Sequence, residues 1–455
     1  YNYAEALAKS MLFYEAQRSG SLPPNQRVRW RGNSAMNDGS DNNIDLSGGY
    51  YDGAGYIKYN FPMAFSSTLI SWSVIRYGRT YRALGQYNHA LDTIKWATDY
   101  FIKCHPEPNL FYGQVSDKSA DSQFFGRPED MTYQRRSYKI DFTQPEIGTD
   151  LAAEAAAAMA SAAIVYKTVN PSYSNTLQQH AVELYNFATT APRRPYSRSI
   201  RHAAQAYGTE ASSYKDELAW AALWLYKLTR LPVYLNDAKR IVTEFSWNVK
   251  TAGVQLLLSE MTNTRRFKAA FKLYQATLAA VLDLYIFGEG NRPDQDGTVS
   301  VVSTSKLNKY TCIYAVLFIT ATTATTTAAT VSAVSSQLNS FNLRLLYVKN
   351  FRIRQISYLL GGNKKRQSFV VGFGRISPTQ PLHKGSSCPL PPNRCGHTFK
   401  NRDQPNPNIL YGALVGGPTP LDDFSDLRTE EEQSRVSLDA NAGFQAAVAG
   451  IIHLK

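Results

Sequence analysis

The chain of 455 residues is 44% hydrophobic and 19% charged, enough to bury a large core and too apolar for an intrinsically disordered protein. Its formal charge of +13 would suit an anionic partner, yet the basic clusters (Arg135-Arg136, Arg193-Arg194 with Arg198 and Arg201, Lys364-Lys365-Arg366) are short and scattered, and none sits in a nucleic-acid-binding module. Nucleic acid is therefore not an expected partner, and neither is a membrane, because the Thr/Ala run from Thr320 to Ser336 is too polar to span one.

In chain order, apolar residues three and four apart predict helices over 2–18, 62–83, 90–101 (Leu91, Ile94, Ala97, Phe101), 149–167, 177–187 (Leu177, Ala181, Leu184, Phe187), 214–229, 235–245, 252–261, 265–286, 307–322, 345–360 and 439–453. The β-branched threonines after residue 320 weaken the pattern there. Strand-like alternation is weak throughout. The expected fold class is all-α, with about a dozen helices paired into a closed ring. No linker divides the chain, so a single domain over 1–455 is expected. Long polar loops at 19–60, 104–147, 287–305 and 362–438 hold most of the Gly-, Pro- and Asp-rich motifs. Long loops in a compact domain are usually functional, and gathered at one end of a ring they would form a cleft.

Among Cys104, Cys312, Cys388 and Cys395 there is no Cys-x-x-Cys pair, which argues against a cysteine zinc site. Cys388 and Cys395 flank a proline-rich loop. They form either a local disulfide, if the protein is secreted, or free buried thiols. No signal peptide is visible and the chain starts at Tyr1, as expected of a processed mature form. The 29 tyrosines suit either a wet cleft that stacks on flat ligands or an ordinary core and surface.

The loop GGYYDGAGYIKYNFPM (48–63) mixes glycines and aromatics with one acid, Asp52, as loops lining carbohydrate clefts do. Hydrolysis of a glycosidic bond usually needs a second carboxylate. Other loops carry longer motifs: FYGQVSDKSADSQFFGRPEDM (111–131), YKIDFTQPEIGTDLAAEAAAA (138–158), SSYKDELAWAALWLY (212–226), SFVVGFGRISPTQPLHKGSSCP (368–389), YGALVGGP (411–418) and DANAGFQAA (439–447). Taken in this order they resemble glycoside hydrolase family 9, the family of many endoglucanases. The opening YNYAEALAKSMLFYEAQRSGSLP and the GGYYDGAG loop are similar to its animal cellulases in particular. The resemblance spans nearly the whole chain and is weakest between 290 and 355. It implies an (α/α)6 barrel of about twelve helices and inverting hydrolysis of β-1,4-glucan, as cellulose or soluble cellodextrins. It also implies a secreted, monomeric enzyme that requires no cofactor.

The same resemblance implies roles for residues. The family pattern Asp-Ala-Gly-Asp holds the attacking water with its first acid and activates it with its second. Here the positions read Asp52, Gly53, Ala54 and Gly55, so glycine stands at the base position. The family general acid, within Asn-Glu-Val, falls on Arg435 between Ser434 and Val436. A guanidinium is permanently charged and yields no proton at useful pH. Displaced groups would be Asp52 as base and Glu430, Glu431 or Glu432 as acid. Alternatively, Glu430, which matches a family acid, is a structural hydrogen-bonding group, and Glu431 and Glu432 are a solvated charge run. His383 matches a histidine of the family's Pro-His-His-Arg cleft motif, with Leu382 before it and Lys384 in place of the arginine. Lysine lacks the planar bidentate contact of arginine.

Arg127, Glu129 and Asp130 keep the Gly-Arg-Pro-Glu-Asp loop, Phe125 replaces a tryptophan stacking face, and Ser122 replaces a histidine after Asp121. Tyr51 and Tyr214 are sugar platforms or core residues. Arg428 and Asp426 match a pair that would support the acid. The expected substrate-binding set is thus Tyr51, Phe125, Arg127, Tyr214, His383, Lys384 and Arg428. Ser212, Ser213, Asp216 and Glu217 resemble a structural calcium loop found in some members, with Asn248 near the place of a further aspartate; the alternative is Asp216 capping the next helix. Two readings of function stand: an endo-β-1,4-glucanase working with displaced acids, or a catalytically inactive homologue that binds glucan or has a structural role. A third, a binder of an acidic partner, rests on net charge alone.

Overall fold

Two kinds of helix alternate along the computed structural model, which describes residues 1–143, 147–190, 193–195, 214–241, 250–262, 353, 355–419 and 422–454. The helices are α1 (Tyr3–Gln17), α2 (Asn60–Ala83), α3 (Tyr87–Cys104), α4 (Lys118–Ser122), α5 (Thr149–Tyr166), α6 (Pro171–Thr190), α7 (Lys215–Thr229), α8 (Pro232–Ile241), α9 (Lys250–Thr262), α10 (Lys384–Ser387), α11 (His397–Lys400), α12 (Glu431–Ser434) and α13 (Leu438–His453). Helices α5 and α13 are buried on nearly every face, as a helix that is apolar all round must be. The alanine run of α5 removes side-chain bulk, so α2, α6 and α7 all pack against it. Helices α3 and α6 instead bury one stripe, which includes Leu91, Ile94, Ala97 and Phe101 on the first and Leu177, Ala181, Leu184 and Phe187 on the second.

The packing order follows from that difference. Helix α1 lies on α13, α13 on α2, α2 on α5, α5 on α7 and α7 on α9, forming an inner row. Helix α3 backs α2, α6 backs α5 and α8 backs α7 from outside. The last helix, α13, therefore inserts between α1 and α2 and joins the two ends of the chain. Trp72 of α2 meets Trp220 and Trp224 of α7 edge-on, with ring centroids 5.5 and 5.7 Å apart. The helices expected over 265–286 and 307–322 lie outside the described residues, as does the start of the one expected over 345–360, of which 355–359 is helical.

The long loops contain strands that the sequence pattern does not reveal. Strands β1 (Lys58–Tyr59), β2 (Leu110–Val115) and β3 (Ser137–Asp141) form an antiparallel sheet in the order β1-β2-β3. Strand β2 is buried along both faces from Phe111 onward, so its side chains do not alternate in polarity. A second, parallel pair joins β4 (Ile147–Gly148) to β5 (Arg193–Arg194). Beside the sheet, Asp38 accepts from Lys58 at 2.7 Å and from Arg135 at 2.7 Å, all three side chains being buried. Cys388 and Cys395 form a disulfide, while Cys104 is a free buried thiol. Among the described residues no helix is long and apolar enough to cross a membrane.

Candidate active site

Three loops are stitched together at one place. The Lys384 amide donates to Ala54 O at 3.0 Å, and the Leu382 amide donates to Ser434 O at 2.9 Å, beside a parallel bridge between Leu382 and Arg435. The Leu438 amide, first in α13, donates to Asp52 Oδ1 at 3.1 Å. Asp52, Gly55, Lys384 and Arg435 are thereby brought to one site. The N-terminus of α13 offers unpaired amides and a positive dipole end, which favour the carboxylate of Asp52. Gly53 has φ +70°, and a Cβ there would lie 2.8 Å from Val436 O. The loop therefore requires glycine where the family pattern has alanine.

A second carboxylate fills the space beside Gly55. A Cβ on Gly55 would lie 2.1 Å from Asp121 Oδ2. Asp121 is buried; its Oδ1 accepts from the Tyr56 amide at 2.9 Å and the Tyr133 hydroxyl at 3.2 Å, and its Oδ2 accepts from Lys384 Nζ at 2.7 Å. Lys384 Nζ also reaches Asp121 O at 2.5 Å. Burial pushes the Lys384 ammonium below its ordinary value, with Asp121 opposing. Asp52 and Asp121 both act on one neighbour: after burial, their charges raise the Tyr59 phenol, followed by that of Asp117. In the sequence, Asp121 serves only as a landmark for Ser122. The paired replacements, glycine for the base and lysine for the motif arginine, are the signal that it fills this gap.

On the other side of the site, a guanidinium stands at position 435, among the carboxyls of Glu430, Glu431 and Glu432. The Arg435 side chain is exposed and donates to Glu431 Oε2 at 3.2 Å, while Lys400 reaches Glu431 Oε1 at 3.1 Å. Burial would raise the Glu431 carboxyl, but Lys400 and Arg435 outweigh it and hold it below the usual range. Glu431 is thus ionised at neutral pH. Glu430 and Glu432 are exposed, and the carbonyl of Glu430, the N-cap of α12, accepts from the amide of Ser434, the last residue of that helix.

Several expected sugar contacts lie beneath the surface. Tyr51 is 1% exposed; its hydroxyl lies 2.9 Å from Ser34 Oγ, and Arg31 and Arg135 stand over its ring. His383 is 2% exposed. Its Nδ1 accepts from the Ser386 amide at 3.0 Å, so Nε2 carries the proton and donates to Gln17 Oε1 at 2.8 Å. Gln17 in turn donates to Gly53 O at 3.0 Å, which links His383 to the Asp52 loop. Arg428 is buried and donates to Asn406 Oδ1 and to the carbonyls of Phe399, Arg402 and Gln404, tying the loop before α12. Asp426 accepts from the Thr379 and Gln380 amides. Phe125 is buried against His397 at 6.0 Å. Arg127 pairs with Asp130 at 2.7 Å and Tyr214 is half-buried at the N-cap of α7. In the calcium loop, Asp216 and Glu217 stand in the first turn of α7, where acids suit the dipole; Ser212, Ser213 and Asn248 lie outside the described residues.

Burial, then Arg31, lowers the His383 imidazole to about 3. Its folded value is below its unfolded one, so the unfolded chain binds a proton first as pH falls. The His383 contribution is complete above about pH 6.5 and is lost on acidification towards 3, at about 1.4 kcal/mol per pH unit. In urea titrations between pH 4 and 7, His383→Gln is expected to flatten the pH slope by about one proton. An unchanged slope would place the imidazole in solvent.

A ring of paired helices whose end loops gather a helix-capped carboxylate, a second acid and clustered aromatics has the build of a glycoside hydrolase of the (α/α)6 barrel class. A family model described as glycosyl hydrolase family 9 matches residues 3–448, and the chain belongs to that family. It is a cellulase-like glycoside hydrolase. Endoglucanase 19 of Arabidopsis thaliana is 39% identical, covering 99% of this chain and 74% of its own. The endoglucanase of the termite Nasutitermes takasagoensis, solved at pH 2.5, superposes with a TM-score of 0.86 at 38% identity over 100% of this chain and 99% of its own. A cellulase of C. cellulolyticum in complex with cellobiose gives 0.83 at 26% identity, over 100% and 99%.

Proposed function

We propose that the chain is a single-domain, secreted, monomeric endo-β-1,4-glucanase that hydrolyses by inversion without the family's general acid. The observation that carries this is Asp52, held by the Leu438 amide at the head of α13 and one loop away from exposed Arg435. The cellobiose bound by one relative supports a β-1,4-glucan occupant. The glucan chain would lie across the end loops. Asp52 accepts the proton of the attacking water, and ion-paired Asp121 adds negative charge near the oxocarbenium-like centre. At the leaving oxygen Arg435 supplies a hydrogen bond but no proton, so departure of the alkoxide limits turnover. Only water, the two carboxylates and the Arg435 guanidinium take part, and no cofactor is needed.

Glycine at 55 and arginine at 435 favour a second reading, a glucan-binding homologue without turnover. Cellopentaose separates the two. Slow release of α-anomeric products by proton NMR, abolished in Asp52→Asn, is the expected result. Calorimetric binding with no products in days would establish the second reading, and neither binding nor products would overturn both.

A further inference from the structure

Away from the cleft loops, the outer helices α3 and α6 bring together three metal-ligating side chains that the hydrolytic reading does not use. His105 caps the C-terminus of α3, and His180 and Glu183 lie three residues apart on α6, hence on one face. Their donor atoms all fall within 4.8 Å of one another. His105 Nδ1 lies 2.7 Å from His180 Nδ1 and 4.0 Å from Glu183 Oε2. The His105 side chain is fully buried and that of Glu183 is 26% exposed, so the cluster is sheltered yet reachable.

We propose that His105 Nδ1, His180 Nδ1 and the Glu183 carboxylate bind one zinc ion, or another borderline first-row divalent cation, with water as fourth ligand. Two further contacts are those of a metal site. His105 Nε2 faces Pro108 O at 3.4 Å, which places its proton on Nε2 and leaves the Nδ1 lone pair pointing at the cluster. Gln179 Nε2 donates to Glu183 Oε1 at 3.0 Å, leaving Oε2 turned to the histidines. Ring N–H to carbonyl and amide to carboxylate are the contacts that orient metal ligands from behind. Two Nδ1 atoms at 2.7 Å share one proton; a zinc ion between them, with bonds of about 2.0–2.1 Å, opens that gap to roughly 3.3 Å. Two imidazoles and one carboxylate suit zinc, whereas calcium takes six to eight oxygens. The ion would fasten the end of α3 to α6 in the outer layer, as a structural clamp.

The full-length protein, stripped with chelator, is titrated with zinc alone against a chromophoric competitor. One ion per chain and a melting temperature raised by zinc are expected. His180→Ala, a half-buried position, and Glu183→Gln should each weaken binding, the first by about 100-fold or more. Cobalt substituted into the wild-type protein should give the intense visible bands of a four-coordinate nitrogen–oxygen site, a readout that needs no variant to fold. Substoichiometric zinc, equal affinity in His180→Ala, or a weak octahedral cobalt spectrum would each overturn the proposal.

Discussion

Arg435→Glu is expected to raise turnover of unactivated β-1,4-glucan by about 10²–10⁴-fold, the range over which a positioned general acid assists. The backbone at 435 is extended and anchored by the bridge to Leu382, so a new carboxyl would arise at a fixed place beside the Asp52 loop. The arginine side chain is exposed and pairs with Glu431, which keeps Lys400 as partner when the arginine is lost. The exchange therefore costs little stability. The variant should also acquire a fall in rate at high pH as its acid deprotonates, a limb the parent lacks; assay on carboxymethylcellulose across pH reads both. Gly55→Asp behaves differently, since its Cβ would collide with Asp121 Oδ2. The new carboxylate would have to displace Asp121 from Lys384, and it is expected to help only when Asp121 is also replaced by a smaller, uncharged residue.

Asp38→Asn should be among the most damaging changes to stability, at about 3–5 kcal/mol. Asp38 balances two buried cations, with side-chain exposures of 1% for Asp38, 0% for Lys58 and 7% for Arg135. Lys58 is fixed further by Leu46 O at 2.5 Å and Gly48 O at 3.1 Å, and lies 4.4 Å from the Tyr100 ring centroid. Arg135 stands 5.6 Å from the ring centroid of Tyr51, the residue next to Asp52. Loss of the anion leaves two uncompensated charges under the cleft loop. Urea unfolding should show the loss, and activity should fall with it. The pH dependence has a definite sign. Burial would raise the Asp38 carboxyl, but Lys58 and Arg135 outweigh it and hold it low. Its stabilisation is full above the ordinary carboxylate value of about 3.9 and is lost as pH falls through the lower folded value. Acid unfolding of the wild type should therefore be steeper than that of the variant.

What the sequence made legible depended on how each residue is surrounded. The stripes on α3 and α6 marked those helices because one face meets water, and the apolar spacing over 149–167 marked α5. Their polar end turns, such as Pro171–Thr176 and Tyr87–His89, carried no apolar signal and extend beyond the predicted spans. Strand β2 escaped notice because it is buried on both sides. At the site, the positions of Asp52, Gly55 and Arg435 could be read from motif order. The depth of Tyr51 and His383 could not, since an aromatic or histidine next to a cleft reads alike whether it faces sugar or packing. The Asp121–Lys384 pair was hidden because it fills space that exists only when residue 55 has no side chain. The His105–His180–Glu183 cluster depends on how α3 meets α6, and no spacing along the chain encodes that.

The proposed pairing of a glucan cleft with a leaving-group side that lacks the family's acid is tested most directly by turnover of aryl β-cellobiosides graded in phenol pKa. With no acid at position 435, nearly full negative charge builds on the departing oxygen. The expected rate falls about tenfold for each unit rise in phenol pKa, and Arg435→Glu flattens that slope. A flat profile in the unaltered protein, with fast hydrolysis of carboxymethylcellulose, would mean that another group donates the proton. It would contradict a leaving-group side made of Arg435 alone, facing water activated by Asp52.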